Sequence, residues 1–242
     1  MPRMLETLTL ALVLVPCLVI AIVFHEVAHG YVAKLLGDPT ASERGRLTLN
    51  PIAHVDLVGT LLVPGALALF GGPVFGWAKP VPVIKQRLAN PRFGMMAVAA
   101  AGPLSNFLLA GLGAVLLGAS WVSGAQFDLA ATGSPLLVDQ AGDALYWQSG
   151  LYFFILINLF LGLFNLLPIP PFDGSHIVGG LLPRSLRPAW ERLQGVGMAL
   201  IIVVVAASWV FGTGWLVAVL GAPMEWAMSQ YLGLADWVAR AV

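Results

Sequence analysis

Two histidines one helical turn apart are the first residues of this chain whose types and spacing could do chemistry. They stand in His25-Glu26-Val27-Ala28-His29, an H-E-x-x-H pattern. On a helix, residues i and i+4 share a face, so both imidazoles can point at one ion. Glu26 sits beside them, where its carboxylate can reach a water held by that ion. Zinc in such a setting lowers the pKa of water to about 7 and provides hydroxide at neutral pH. In a chain with 4 His the pattern arises by chance in roughly one chain per thousand. Here it ends a hydrophobic run, where ionisable groups are expensive and default to a functional reading. The competing reading is a buried His and Glu pair that braces helices.

Two histidines leave a catalytic zinc short of its usual third protein ligand. Asp38, Glu43 and Glu191 stand in charged, hydrophilic stretches and read as solvated loop charges. Asp128, Asp139 and Asp143 fall on the opposite side of the membrane in the topology below. Asp173 remains, in Asn165-Leu166-Leu167-Pro168-Ile169-Pro170-Pro171-Phe172-Asp173-Gly174. His25 precedes Lys34 by nine residues, which puts it about 13 Å in along a helix. A proline-rich segment dipping back toward the first span could bring Asp173 to that depth.

The elements that must position these residues follow from composition. Of 242 residues, 59% are hydrophobic and 10% charged, against about 25% charged in a soluble domain. Twelve basic and twelve acidic residues balance to zero, which leaves no basic surface for nucleic acid. One cysteine, Cys17, excludes a disulfide scaffold and a cysteine-rich metal site. The class that remains is an all-α polytopic membrane protein forming a single domain over 1–242. Its spans are expected at 7–36, 93–120, 150–167 and 193–211, with 215–228 as a short candidate for a last one. Four to six transmembrane segments are therefore expected. The stretch 57–70, broken by Gly59, Pro64 and Gly65, is too short for an upright span and reads as re-entrant. Ten of the 12 Lys and Arg lie in the connections 34–92 and 184–192, which the positive-inside rule sends to the cytoplasm. Alternation at 46–49 and 80–84 suggests two short membrane-associated β-strands, the second limited to a sheet edge by its prolines. Gly71, Gly72 and Gly76 could permit a gate.

At this point the chain resembles a known family. H-E-x-x-H on one span and N-x-x-P-x-P-x-x-D-G near a later one are both complete here, in the order of the site-2 protease family of intramembrane zinc metalloproteases. Asn50-Pro51-Ile52-Ala53-His54-Val55-Asp56, Gly76-Trp77-Ala78-Lys79-Pro80-Val81 and Ala101-Gly102-Pro103-Leu104-Ser105-Asn106 are similar to the compact bacterial and archaeal branch. The likeness runs from about residue 24 to residue 177. It implies one zinc per chain held by His25, His29 and Asp173, with Glu26 activating water and Asn165 near the substrate backbone. Ser175 follows Gly174 where many members have a second glycine. There is no room for a PDZ or CBS domain, so any regulatory membrane partner must be another chain. The implied activity is hydrolysis of peptide bonds in or near transmembrane helices of membrane proteins, in the cell membrane, with the site toward the cytoplasm.

Other polar residues stay open. His54 and Asp56 could line the water entry or assist an oxyanion, or serve only as a cap or loop salt bridge. Asn106 inside the second span should face the protein interior, to position the site and substrate or to bond a neighbouring helix. His176, three residues after Asp173, reads as an outer neighbour of the site or a competing ligand. The rival functions are a metal-binding transporter and a non-catalytic zinc scaffold. A transporter would more often show internal repeats and a polar pathway. A scaffold would close its site with four protein ligands and need no Glu26.

Overall fold

Long apolar stretches can satisfy their backbone groups in a membrane only within their own segment, and they make most of the described residues helical. The computed structural model describes residues 2–63, 65, 69, 76–127, 136–212 and 214–242. The helices are α1 (Pro2–Leu35), the one-turn α2 (Thr40–Glu43), α3 (Pro91–Ala119), α4 (Tyr146–Asn165), α5 (Asp173–Leu181), α6 (Arg187–Gly195), α7 (Gly197–Phe211) and α8 (Trp215–Ala241). Between α2 and α3 lie a 3-10 turn at Pro51–His54, a π-helical turn at Leu57–Leu62 and a 3-10 turn at Lys85–Arg87.

Among the described residues, three helices are long and apolar enough to cross a membrane: Leu10–Leu35 within α1, all of α3 and all of α4. They match the first three expected spans. The fourth, 193–211, is not one rod. The helix breaks at Val196, and α6 meets α7 at a bend of 62°; counted as one broken span, the pair makes a fourth crossing. Next to the break Gly197 packs closely on the proline-rich turn, where a Cβ would lie 2.6 Å from Cβ of Pro170. The expected last span, 215–228, is part of the 27-residue α8. Glu225, Ser229 and Gln230 dilute its apolar character, and it is not among the helices apolar enough to cross.

The expected strands at 46–49 and 80–84 are a correction. Among the described residues the strands are β1 (Gln126–Phe127) and β2 (Leu137–Val138), paired antiparallel. Pro80 and Pro82 supply no donors, and the Val81 and Ile84 N–H groups go to side-chain carboxylates, so 80–84 runs extended without a ladder. In the expected re-entrant stretch, Asp56 caps the π-helical turn, its Oδ1 accepting the Val58 and Gly59 N–H groups at 3.1 and 2.7 Å. Residues 64, 66–68 and 70 of that stretch, Gly71 and Gly72 of the expected gate, and Asp128 lie outside the described residues.

The chain divides into two compact units, 1–21 with 106–161 and 222–242, and 22–105 with 162–221. The first holds helices together through polar groups and close backbone approach. Asn106, fully buried, donates from Nδ2 to Ala21 O at 3.2 Å and to Asn158 Oδ1 at 2.9 Å. Tyr231 donates to Phe107 O at 3.1 Å. Gly113 faces Ile155 and Phe154, where a Cβ would sit at 3.0 Å. These are the small-residue and amide contacts expected where lipid gives helices no hydrophobic reason to associate.

In the second unit, α1 ends in a Schellman turn. Asp38 N–H bonds Ala33 O at 2.9 Å and Gly37 N–H bonds Lys34 O at 3.2 Å, with Gly37 at φ +105°. The turn carries Asp38 inward. It is fully buried, not solvated as its charged neighbours suggest. One oxygen accepts from Thr40 N–H and Oγ1, the other from Ile84 N–H. Burial alone would raise the Asp38 pKa; the Thr40 and Ile84 donors, with Arg87 nearby, overcome it and hold the carboxyl below its ordinary value. A depressed carboxyl stabilises the fold above its unfolded pKa, roughly pH 4, and that contribution fades as pH falls through the folded value. Asp38→Asn should therefore cost about 2 kcal/mol near neutrality. Melting curves of both proteins should converge below roughly pH 4; a constant gap would contradict the charge-based account. Glu43 and Glu191 are surface charges, paired with Arg87 at 2.8 Å and Lys85 at 3.6 Å.

Candidate metal centre

The site is built where α1 runs alongside α3 in the second unit. His25 and His29, four residues apart, lie on one face of α1, their rings edge-to-face with centroids 4.6 Å apart. From α3, Val98 O accepts a hydrogen bond from His29 Nδ1 at 2.7 Å. A carbonyl only accepts, so Nδ1 carries the proton and the neutral ring presents Nε2 as a lone pair. One turn further along α3, Gly102 has no side chain, and a Cβ there would lie 2.6 Å from His25 Cε1 and closer still to His29 Nε2. Val98 and Gly102 thus repeat on α3 the i, i+4 spacing of the histidines on α1.

Asp173 arrives from the proline-rich connection after α4, which turns back on itself. Gly174 packs directly on the Leu166 carbonyl, an approach that no Cβ would allow. Beneath the turn, Leu167 and Phe172 join a buried cluster with Ile201 and Leu220. Asp173 is the first residue of α5, and its Oδ2 lies 3.2 Å from His25 Nε2 and 3.3 Å from His29 Nε2. The two Nε2 atoms are 3.0 Å apart. Among the described residues this is the one group of three side chains arranged to hold a metal.

The donor set fits a cation. Asp173 Oδ2 is buried and receives no hydrogen bond, so an electron-rich oxygen faces a ring nitrogen whose proton is on the far side. A tetrahedral zinc with bonds of about 2.0 to 2.1 Å has ligand–ligand edges of about 3.3 to 3.4 Å, close to the triangle described above. The His25 and His29 side chains are 9% and 11% exposed and that of Asp173 18%, so the three ligand candidates are largely withdrawn from solvent. Gly102→Ala should therefore lower zinc content to a small fraction by driving a methyl into both rings. Gly111→Ala on the same helix, where a Cβ would meet nothing closer than 3.8 Å, should keep it. Equal zinc in the two purified variants would contradict this packing.

Glu26 stands between the histidines in sequence, and its Oε2 accepts the Val81 N–H at 2.8 Å. The extended segment that supplies this donor is tethered at alternate residues. Trp77 N–H bonds Gly59 O at 3.0 Å and Lys79 N–H bonds His54 O at 2.9 Å, while Arg46 donates to Lys79 O at 2.7 Å.

The remaining candidates make contacts of their own. His54 is buried, with Nε2 2.9 Å from Thr48 O; it holds the loop that carries Lys79. Asn165 is the last residue of α4, half-buried. Asn106 is in the first unit, in the helix contacts described above. His176 Nδ1 lies 3.3 Å from Gln194 Nε2. Burial, its largest influence, with Lys85 and His29, pushes the His176 pKa down against the pull of Asp173. Ser175 is fully buried, its N–H bonded to Phe172 O at 3.0 Å. Two residues of the site escape a reading of side-chain chemistry, Val98 and Gly102, because both contribute backbone; the Ala101-Gly102-Pro103 motif is the one trace of them.

Comparison with known proteins bears on the same residues. The chain is 40% identical over 190 residues to a Bacillus subtilis protein named "Putative zinc metalloprotease YwhC", covering 78% of each chain. It is 31% identical over 159 residues to "Putative zinc metalloprotease MJ0611" of Methanocaldococcus jannaschii, covering 64% of this chain and 63% of the relative. No solved structure matches it significantly. The family model for Peptidase family M50 matches residues 13–208, a range that includes H-E-x-x-H, the Gly102 helix and the Asp173 turn. With a relative that similar over most of both chains and the family match spanning all three ligand candidates, the chain belongs to Peptidase family M50, and it is an intramembrane zinc metalloprotease.

Proposed function

We propose that the protein is an endopeptidase that cuts inside or next to transmembrane helices of other membrane proteins, with zinc held by His25, His29 and Asp173. The convergence of those three ligand atoms beside Glu26 carries this reading. Zinc, when bound, supplies Lewis acidity that polarises a carbonyl and brings water toward ionisation near neutral pH. The chain supplies the rest. The Val98 carbonyl keeps the His29 ring oriented with its lone pair inward. Glu26 is held by one oxygen, Oε2, which leaves Oε1 to take a proton from the attacking water and deliver it to the leaving amine. Buried helix surface around the histidines limits competing water.

A helical substrate must unwind first, because its carbonyls are occupied, and freed backbone groups in hydrocarbon cost several kcal/mol each (roughly) unless paired again. The segment 76–84 is our candidate for that pairing. Residues 77, 79 and 81 spend their N–H groups inward, so on an extended chain 78, 80 and 82 face the other way. With proline at 80 and 82, that edge offers three carbonyls and, at Ala78, a single N–H donor. A substrate strand would be held there through its own N–H groups, with Asn165 as a further backbone contact. His54 then serves the substrate indirectly, by anchoring Lys79. Asn106 serves the helix contacts of the first unit.

The basic connections 34–92 and 184–192 favour a site near the cytoplasmic face of the cell membrane. The transporter and scaffold readings are not favoured by the family match. The test is incubation of the zinc-loaded protein with a single-pass substrate in vesicles, followed by mass spectrometry of the products. Cleavage at one internal bond, stopped by a zinc chelator, is expected. Trimming from the ends alone, or cleavage that survives chelation, would overturn it.

A further inference from the structure

Beside α5, on the side of His176, a cavity of about 260 Å³ opens in the second unit. Its charged lining is Lys85, Arg92 and Arg187 against the single carboxylate of Glu191. Glu191 is engaged with Lys85 at 3.6 Å. Neither guanidinium pairs with a carboxylate among the described residues, although both side chains are half-buried. Each is instead oriented through Nε, Arg92 to Gly180 O and Arg187 to Leu182 O at 3.1 Å. Both anchoring carbonyls lie at the end of α5. The bonds set the plane of each fork and direct the Nη donors elsewhere. Two partly desolvated cations sharing one cavity repel each other, and the repulsion is relieved by an anion between them.

We propose that this cavity is a binding site for a phosphate-bearing anion, supplied in the membrane by the headgroup of an anionic phospholipid. Two observations and one general rule support a lipid source. The cavity lies where α3 begins and where the short polar helix α6 precedes the apolar α7, that is, at helix ends and not mid-span. Trp190, an interfacial residue type, forms one wall, with its indole N–H bonded to Ser175 O at 2.9 Å. Basic pockets between helices at the membrane surface recognise anionic headgroups by charge. The site shares α5 with the metal centre, whose Asp173 opens that helix, but none of the three zinc-ligand candidates lines it.

Native mass spectrometry of the full-length, zinc-loaded protein in neutral detergent reads this out. Phosphatidylglycerol should be retained roughly tenfold better than phosphatidylcholine. Arg92→Gln with Arg187→Gln should erase the preference, while Arg92→Lys with Arg187→Lys restores most of it, which separates loss of charge from loss of fold. Zinc content should stay the same in all three proteins if the lipid site is distinct. A parallel arm adds inorganic phosphate and follows its ³¹P line width. Broadening by the wild type but not the glutamine pair, without a lipid preference, would keep the phosphate site and reassign its source to a soluble ligand. Equal retention of both lipids with no broadening, or a preference that survives the glutamine pair, would overturn the proposal.

Discussion

Glu26→Gln should keep a full zinc complement and lose at least about 10²- to 10⁴-fold in cleavage rate, the range that a positioned acid–base group contributes. The substitution changes little but charge. The amide can still accept the Val81 N–H through its oxygen, as Oε2 does now at 2.8 Å, and the zinc triangle does not include Glu26. What it cannot do is take a proton from water and return it to the leaving amine. Purified variant and wild type, matched for zinc, would be compared on one transmembrane substrate. Retained turnover would remove Glu26 from the chemistry, and lost zinc would mean that its role is structural.

Asp173→Ala should weaken zinc binding more than about 100-fold, beyond what loss of an outer hydrogen-bond partner costs. Here Oδ2 is buried, accepts no hydrogen bond and closes a triangle with the two ring nitrogens at 3.2 and 3.3 Å. Removing it leaves two imidazoles on one helix, which any surface H-x-x-x-H pair could match. Asp173→Asn keeps the shape and loses the charge, so it should bind zinc better than alanine and worse than the wild type. Competition against a chelator of known affinity orders the three. If alanine holds zinc as tightly as aspartate, the third ligand is another residue.

These two predictions rest on residues that are legible in the sequence, for physical reasons. A four-residue spacing on a helix and a carboxylate at matching depth are local and stoichiometric constraints, and few side chains in so apolar a chain can satisfy them. Backbone contributions leave no such trace. Val98 orients His29 with a carbonyl that every residue possesses, and Gly102 contributes the absence of a side chain. Asp38 is misjudged because its neighbours are charged; the Schellman turn that sends it inward depends on Gly37 taking a positive φ. The 80–84 stretch alternates like a strand, yet its prolines and two carboxylate acceptors divert the backbone from any ladder. The break at Val196 is foreshadowed by glycines on both sides, but hydropathy averages over it.

What surrounds the metal decides the chemistry of this chain. Zinc-edge X-ray absorption on the purified, active protein reports the ligands directly. Two imidazoles with oxygen completing the shell at about 2.0 to 2.1 Å is the predicted spectrum, with the oxygen contribution reduced in Asp173→Ala. A sulfur scatterer at about 2.3 Å, which would implicate Cys17, or a third imidazole drawn from His54 or His176, would contradict it.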